Sequence, residues 1–290
     1  MSIATILVVV SGEEGSEGAL KTALSLGEAF GARVTALHVA IDPERSIPLL
    51  GEGMTAAMIG DLSASLAAEA DRTTATAKGL FARLCVDAGK PVEALDAPPA
   101  AGRFAAVLDC RHGDEAGVVA EEGRLHDLIV VPRGSDEEGA SGPTLEAALF
   151  QTGRPVLIPP KGGYDSIPHR IAVAGNGSRE GARAVADALP LLKHAKQLSI
   201  LTGEGRDDRP IAYPSALARH LQAHGIPSQT WRFQPDDWPV SQSLVNEAKK
   251  AGATLLVMGA YGHSRLRELV LGGATRAALR SGELGLFMAH

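Results

Sequence analysis

The chain has 290 residues, a length that suits two ordinary domains better than one, and it is 45% hydrophobic but only 4% aromatic. Its cores must therefore be filled by Ala, Val, Leu and Ile, the usual filling of sheets covered by helices. A net charge of -6 with Lys and Arg scattered along the chain argues against a nucleic-acid partner, and no run approaches the roughly 20 apolar residues that a membrane span needs.

The first predicted element is a strand at Ile6 to Val10, a short apolar run rich in β-branched residues and stopped by Ser11-Gly12. With no basic start before it, this segment reads as a strand rather than a signal peptide, so a cytoplasmic protein is expected. A helical stripe follows, with Ala19, Leu20, Ala23, Leu24 and Leu26 on one side and Gly31 as its stop, and then a strand at Arg33 to Val39. This is a β-α-β unit, for which parallel pairing with a right-handed crossover is the default. Beyond it the pattern predicts a helix across 54–88, a Pro/Ala/Gly-rich turn at 97–102 and strands at Phe104 to Asp109 and Asp127 to Val131, with a final apolar strand after Thr152-Gly153.

The same unit restarts at Ile171. Setting Ser11 against Asn176 matches Gly12 with Gly177, Ala19 with Ala184, Ala23 with Ala188 and Leu24 with Leu189. Asp127 to Val131 matches Thr254 to Met258, and Thr152-Gly153 matches Ser281-Gly282. The second copy predicts strands near 170–175, 197–202, 228–233, 254–258 and 284–289, and helices near 180–194, 213–224, 240–251 and 273–281. The fold class is α/β: two tandem Rossmann-like domains, residues 1–160 and 168–290, each a five-stranded parallel sheet flanked by helices. Pro159-Pro160-Lys161-Gly162-Gly163 has the composition of a linker between them.

In such sheets ligands sit beyond the C-terminal ends of the strands. After the fourth strand of the second copy come Gly259 and Gly262, then nine residues, then Gly272-Gly273-Ala274-Thr275. Glycines let the backbone approach an anion closely, the amides that open the next helix point at phosphate, and Thr275 adds a hydroxyl. His263, Arg265 and Arg267 lie in the nine-residue run between the glycines.

Gly259-x2-Gly262-x9-Gly272 resembles the ATP-binding signature of the universal stress protein family, and the resemblance covers both copies. It implies an adenine nucleotide alpha hydrolase-like fold and pairing of the two domains with each other, and leaves a further homodimer open. Carried over, the nucleotide contacts are Ala174 and Asn176 at adenine, Met258 and Gly259 at ribose, and Gly262, Gly272, Gly273 and Ala274 at phosphate. The implied cofactor is ATP or AMP, with Mg as a companion ion. Two positions depart from the family pattern: Gly273 stands where Ser or Thr is usual, and Asn176 where Asp is common. The first copy departs further, with Pro132-Arg133-Gly134 in place of the first glycines, acidic residues at Asp136 to Glu138, Ser11 at the adenine position and only Gly142-Pro143-Thr144 as an echo of the second glycines.

Several other features read as ordinary. Gly12 to Thr22 hints at a phosphate loop, but Leu20 stands where glycine must precede the Lys-Thr pair, so a helix start is expected. Asp109-Cys110-Arg111-His112-Gly113-Asp114 is a poor metal set and reads as a polar loop; Cys85 and Cys110 read as buried apolar residues. Trp231 is expected at the rim of the sheet, with Trp238 nearby, and Asp236 and Asp237 as helix caps. No catalytic residue or metal ligand is identified. The expected function is a stress-response protein that holds ATP, ADP or AMP in its C-terminal domain as a regulatory or structural ligand. A nucleotide-free interaction scaffold and a slow ATPase are the alternatives.

Overall fold

A computed structural model of the chain describes residues 2–12, 15–42, 55–134, 142–203, 213–234, 240–260, 278–279 and 282–290. The N-terminal half contributes β1 (Thr5–Val9), α1 (Ser16–Phe30), β2 (Arg33–Ala40), α2 (Ala56–Phe81), β3 (Ala105–His112), α3 (Glu115–Gly123), β4 (Leu128–Val130), α4 (Pro143–Gln151) and β5 (Val156–Ile158). The C-terminal half contributes β6 (Arg170–Ala174), α5 (Arg179–Leu192), β7 (Gln197–Gly203), α6 (Tyr213–Ala223), β8 (Gln229–Phe233), α7 (Val240–Lys250), β9 (Leu255–Gly259) and β10 (Gly285–Ala289). Of the helix expected at 273–281, only Ala278 and Leu279 lie within the described residues, and both are helical.

The strands form one sheet in the order β3-β2-β1-β4-β5-β10-β9-β6-β7-β8. Each half is parallel within itself and has the same internal order, so the repeat seen in sequence is a repeat of topology. The halves meet strand to strand: β5 and β10 pair antiparallel, with Val156 opposite Met288, Leu157 opposite Phe287 and Ile158 opposite Leu286. Pairing through the last strand buries what would otherwise be two exposed sheet edges. It also sends the C-terminal ends of the two sets of strands to opposite edges of the molecule.

Each face of the sheet carries one hydrophobic cluster that runs through both halves. One joins Leu20, Ala23 and Leu24 of α1 and Phe81 of α2 to Ala184, Ala188 and Leu191 of α5 and Leu217 of α6. The other joins Val119 of α3 and Leu149 of α4 to Val245 and Ala248 of α7 and to Ala278 and Leu279. The strands are apolar on both sides because both faces are covered. The segment expected to be a free linker is built in: the Gly163 amide donates to the Pro160 carbonyl at 2.9 Å, and the Lys161 amide to Gly282 at 3.0 Å. Tyr164, 9% exposed, donates from its backbone N–H to Thr22 Oγ1 at 2.8 Å and from its hydroxyl to the Thr254 carbonyl at 2.5 Å. It thereby ties one half to the other.

Two expectations need correction. The long helix ends at Phe81 and continues as a π-helical turn over Ala82–Val86 instead of running on to 88. Strand β3 extends to His112, so most of the Asp109–Asp114 segment is strand and not loop, and Cys110 is exposed. The strand is longer because its pairing with β2 continues to Ala40 opposite His112, and Cys110 is exposed on a strand at the sheet edge. The chain adds a parallel bridge there, Val92 with Ala106, and among the described residues no strand pairs with the later residues of β3 on that side. Cys85 is buried as expected, and burial pushes its thiol up to about 11.

Candidate functional site

In the C-terminal half, the chain runs from β6 outward through β7 to β8, whereas β9 leads the other way to β10. The gap beyond the C-terminal ends of β6 and β9 is therefore the topological switch point, where loops part and leave a crevice. Four of the residues expected at the nucleotide lie here. Val173 pairs with Val257, so Ala174 and Met258 follow as neighbours at the strand ends, and Asn176 and Gly259 continue into the two loops. Met258 is 5% exposed with its side chain in the core, which leaves its backbone as the group offered to the crevice. Asn176 is exposed. The remaining expected contacts, Gly262, Gly272, Gly273, Ala274 and Thr275, lie outside the described residues, as do His263, Arg265 and Arg267.

Gly259 is glycine for a steric reason. A Cβ there would sit 2.6 Å from the carbonyl carbon of Glu180 and closer still to the Gly181 nitrogen. The end of β9 thus presses on the first turn of α5. That turn is already satisfied by the protein's own groups: Ser178 Oγ accepts from the Gly181 N–H at 3.0 Å, and Asn176 Oδ1 accepts from the Ser178 N–H at 3.1 Å and the Ser178 hydroxyl at 2.9 Å. The Glu180 carboxyl is held below the ordinary carboxylate range, first by its own backbone N–H. A phosphate arriving here finds the free amides of a typical helix start already engaged. An aromatic face does border the crevice, since a Cβ on Gly177 would lie 3.5 Å from the ring of half-buried Tyr213 at the start of α6.

The N-terminal half has the same crevice between β1 and β4, built differently. Here the glycine is on the helix side: a Cβ on Gly15, whose φ is 94°, would collide with the Arg133 carbonyl. The same close approach recurs with glycine supplied by the opposite partner. Over Gly12 lies backbone instead of an aromatic ring, with Thr73 O 3.0 Å from where a Cβ would be. At 26 residues, α2 is about 39 Å long, and strands of five to eight residues span only about 17 to 27 Å, so the helix overhangs the edge. His38, 1% exposed, donates from Nδ1 to the Val10 carbonyl at 2.8 Å and hydrogen-bonds through Nε2 with Thr74 Oγ1 at 3.1 Å, pinning α2 across this end of the sheet. Ser11, the adenine-side position of this half, shares a hydrogen bond with Ser16 at 3.1 Å.

Arg133 was read from sequence only as a departure from the glycine pattern. It is 3% exposed, and its guanidinium reaches across the junction: Nε donates to Pro159 O at 3.1 Å, Nη1 to Ala278 O at 3.3 Å and to Leu279 O, and Nη2 to Leu284 O at 2.7 Å. The residue that stands where the motif has Ala260 therefore serves the opposite half. An arginine after a strand gives no signal of this in sequence.

The other singled-out residues are structural. Asp109 is buried and holds Arg111 at 2.9 Å, with Arg111 also on Glu122 at 2.8 Å, and Asp114 caps α3 by accepting from the Gly117 N–H at 2.8 Å. Gly142 and Pro143 open α4. Trp231 packs at the rim as expected and donates to Glu247 Oε2 at 2.9 Å; Trp238, Asp236 and Asp237 lie outside the described residues. Among the described residues there is no group of three His, Cys, Asp or Glu side chains placed to hold a metal, and no helix long and apolar enough to cross a membrane.

No curated protein matches the sequence. Among solved structures, a universal stress protein from Archaeoglobus fulgidus DSM 4304 aligns over 98% of this chain and 97% of its own, with a TM-score of 0.65 and 16% identity. A functionally unknown protein from Pseudomonas aeruginosa PAO1 aligns over 99% of this chain and 92% of its own, with a TM-score of 0.55 and 15% identity. These likenesses show that the whole two-half architecture, and not only one half, has precedent. Residues 3–135 match the model of the universal stress protein family, and this span takes in β1 to β4 and the Pro132-Arg133-Gly134 exit. The N-terminal half of the chain is thus a universal stress protein domain.

Proposed function

We propose that the chain is a tandem universal stress protein whose C-terminal half, residues 168–290, binds one adenine nucleotide as a regulatory or structural ligand, while the half spanning 1–160 does not. The observation that supports this most is the difference between the two switch-point crevices. In the C-terminal half, exposed Asn176 and the backbone of Met258 and Gly259 lie at the strand ends, the Tyr213 ring is beside Gly177, and the glycine pattern follows Gly259 in sequence. In the N-terminal half, α2 lies over Gly12, and Pro132 has no N–H to offer where Gly259 has one. Because the first turn of α5 is capped by the protein itself, the phosphates fall to the Gly262 and Gly272 to Thr275 amides, with base and ribose toward Ala174, Asn176 and Met258. Mg, where present, would be held by the phosphates.

Turnover is not part of the reading. Glu180, which packs against Gly259, has a carboxyl held below its ordinary pKa and is a correspondingly weak base for activating water. Isothermal calorimetry of the full chain with ATP, ADP and AMP tests the proposal. The expected result is a single site per chain that disappears in Gly262→Val and Gly272→Val. Binding that survives both substitutions, or no binding by the unmodified chain, overturns it; the latter outcome favours the nucleotide-free scaffold.

A further inference from the structure

Helix α6 ends on two histidines that the candidate nucleotide site does not use. His220 lies in its last turn and His224 directly follows its last residue, so they stand four positions apart, the spacing that stacks side chains on one helix face. Both are exposed, beside the buried stripe of Leu217 and Leu221. The backbone fixes the register of this end. Gly225 takes a left-handed φ of 75°, the His224 amide donates to the Leu221 carbonyl at 3.0 Å, and the Ile226 amide reaches back to the same carbonyl at 2.9 Å.

The two imidazole rings lie 4.8 Å apart, centre to centre, and are crossed at 71°. A metal bound to one nitrogen of each ring at about 2.0 to 2.1 Å lies about 3.2 Å from each ring centre, and an N–metal–N angle of about 90 to 110° then sets the centres about 4.5 to 5.2 Å apart. The separation already falls in that range, so chelation asks for rotation of two exposed rings and no movement of the helix. A dication here also meets the partial negative charge of a helix C-terminus. Paired imidazoles suit zinc, nickel and copper, whereas magnesium and calcium take oxygen ligands. Among the described residues no third His, Cys, Asp or Glu joins the pair, so water completes the coordination.

We infer that His220 and His224 form a surface site for one divalent transition metal of the zinc, nickel or copper class. The site shares no residue with the proposed nucleotide contacts and needs no nucleotide. Because the chelate requires the helical spacing, the metal clips the last turn of α6 and favours the folded form.

The test titrates zinc into the metal-free full chain by calorimetry, with magnesium in excess, and follows hydrogen exchange over residues 213–226. The unmodified chain is compared with His224→Gln, with His112→Gln, and with the double variant His220→Gln plus Gln222→His. The double variant keeps the composition but sets the imidazoles two positions apart, where helical side chains do not face each other. Zinc should bind the unmodified chain and slow exchange at the end of α6. The second imidazole acts at a high effective concentration, so His224→Gln and the double variant should each weaken this site by at least about tenfold and lose the slowed exchange. His112→Gln, which removes another exposed histidine, should do neither. No zinc bound by the unmodified chain, undiminished affinity in the double variant, or exchange in α6 that zinc does not change overturns the inference. Circular dichroism verifies folding, and should the double variant fail to fold, undiminished affinity in His224→Gln overturns it instead.

Discussion

The two halves share strand order, register and core chemistry, yet their crevices have diverged in opposite directions. In the N-terminal half the strand exit carries Pro132 and Arg133, the glycine has moved to the helix side at Gly15, and a 26-residue helix lies across Gly12. In the C-terminal half the glycine stays at the strand exit, the corresponding helix has 11 residues, and the nearest described neighbour of Gly177 is a tyrosine ring. The close approach of strand exit to helix start is thus a requirement of the fold, met in both halves. The family match falls on the half with the altered loop, residues 3–135, whereas the glycine spacing falls in the other half. A family likeness carried by strands and helices and a ligand site carried by one loop are separable, because function is grafted onto folds at sites.

Several measurements would break or sharpen this contrast. The largest expected effect is on stoichiometry. Calorimetry should return one adenine nucleotide per chain, and Pro132→Gly in the N-terminal half should not add a second; two equivalents would remove the asymmetry altogether. Next is stability at the junction. Arg133→Met strips a buried cation from four carbonyls, and breaking buried charged contacts of this kind costs about 3 to 5 kcal/mol, readable as a shift in the urea midpoint. Gly259→Ala forces a Cβ against backbone and should destabilise by about 1 to 3 kcal/mol, while Gly102→Ala, which meets no neighbour but has a φ of 71°, serves to size the purely conformational share.

A smaller effect separates the halves by pH. His126 donates from Nδ1 to the Glu122 carbonyl at 2.9 Å and accepts at Nε2 from Thr35 Oγ1 at 3.3 Å, an arrangement that suits the neutral ring, and burial lowers its pKa. A histidine with a folded pKa below its unfolded value resists protonation in the native state. Stability is then full above the unfolded value near 6.5 and falls as pH drops through it toward the lower folded value. Ala253 occupies the matching place in the C-terminal half. Hydrogen exchange between pH 7 and 5 should therefore loosen the α3–β4 region in the unmodified chain and not in His126→Asn; equal loosening in both removes His126 as the cause. The smallest effect is chemical: a thiol reagent should label exposed Cys110 and spare buried Cys85 in the native protein, and labelling at both would show that the edge beside β3 opens.

Much of this architecture was written in local sequence. Continuous apolar runs marked strands covered on both faces, Gly31 stopped α1 in a left-handed conformation with φ 64°, Ser178 announced the start of α5, and matching positions between Ser11 and Asn176 disclosed the repeat. The glycine spacing after β9 marks a candidate site by its chemistry, since glycines report what the local backbone must do. What sequence left hidden depends on partners far along the chain. Arg133 meets Leu284 across 151 positions and Tyr164 meets Thr254 across 90, so nothing near either residue reveals its role. The exposure of Cys110 followed from where β3 sits in the sheet, and the Pro/Gly segment read as a linker is fastened at both ends. Periodicity and turn chemistry determined the elements and the place of the candidate loop; only the tertiary structure, by joining β5 to β10, decided which residues of one half, Arg133 and Tyr164 among them, meet the other.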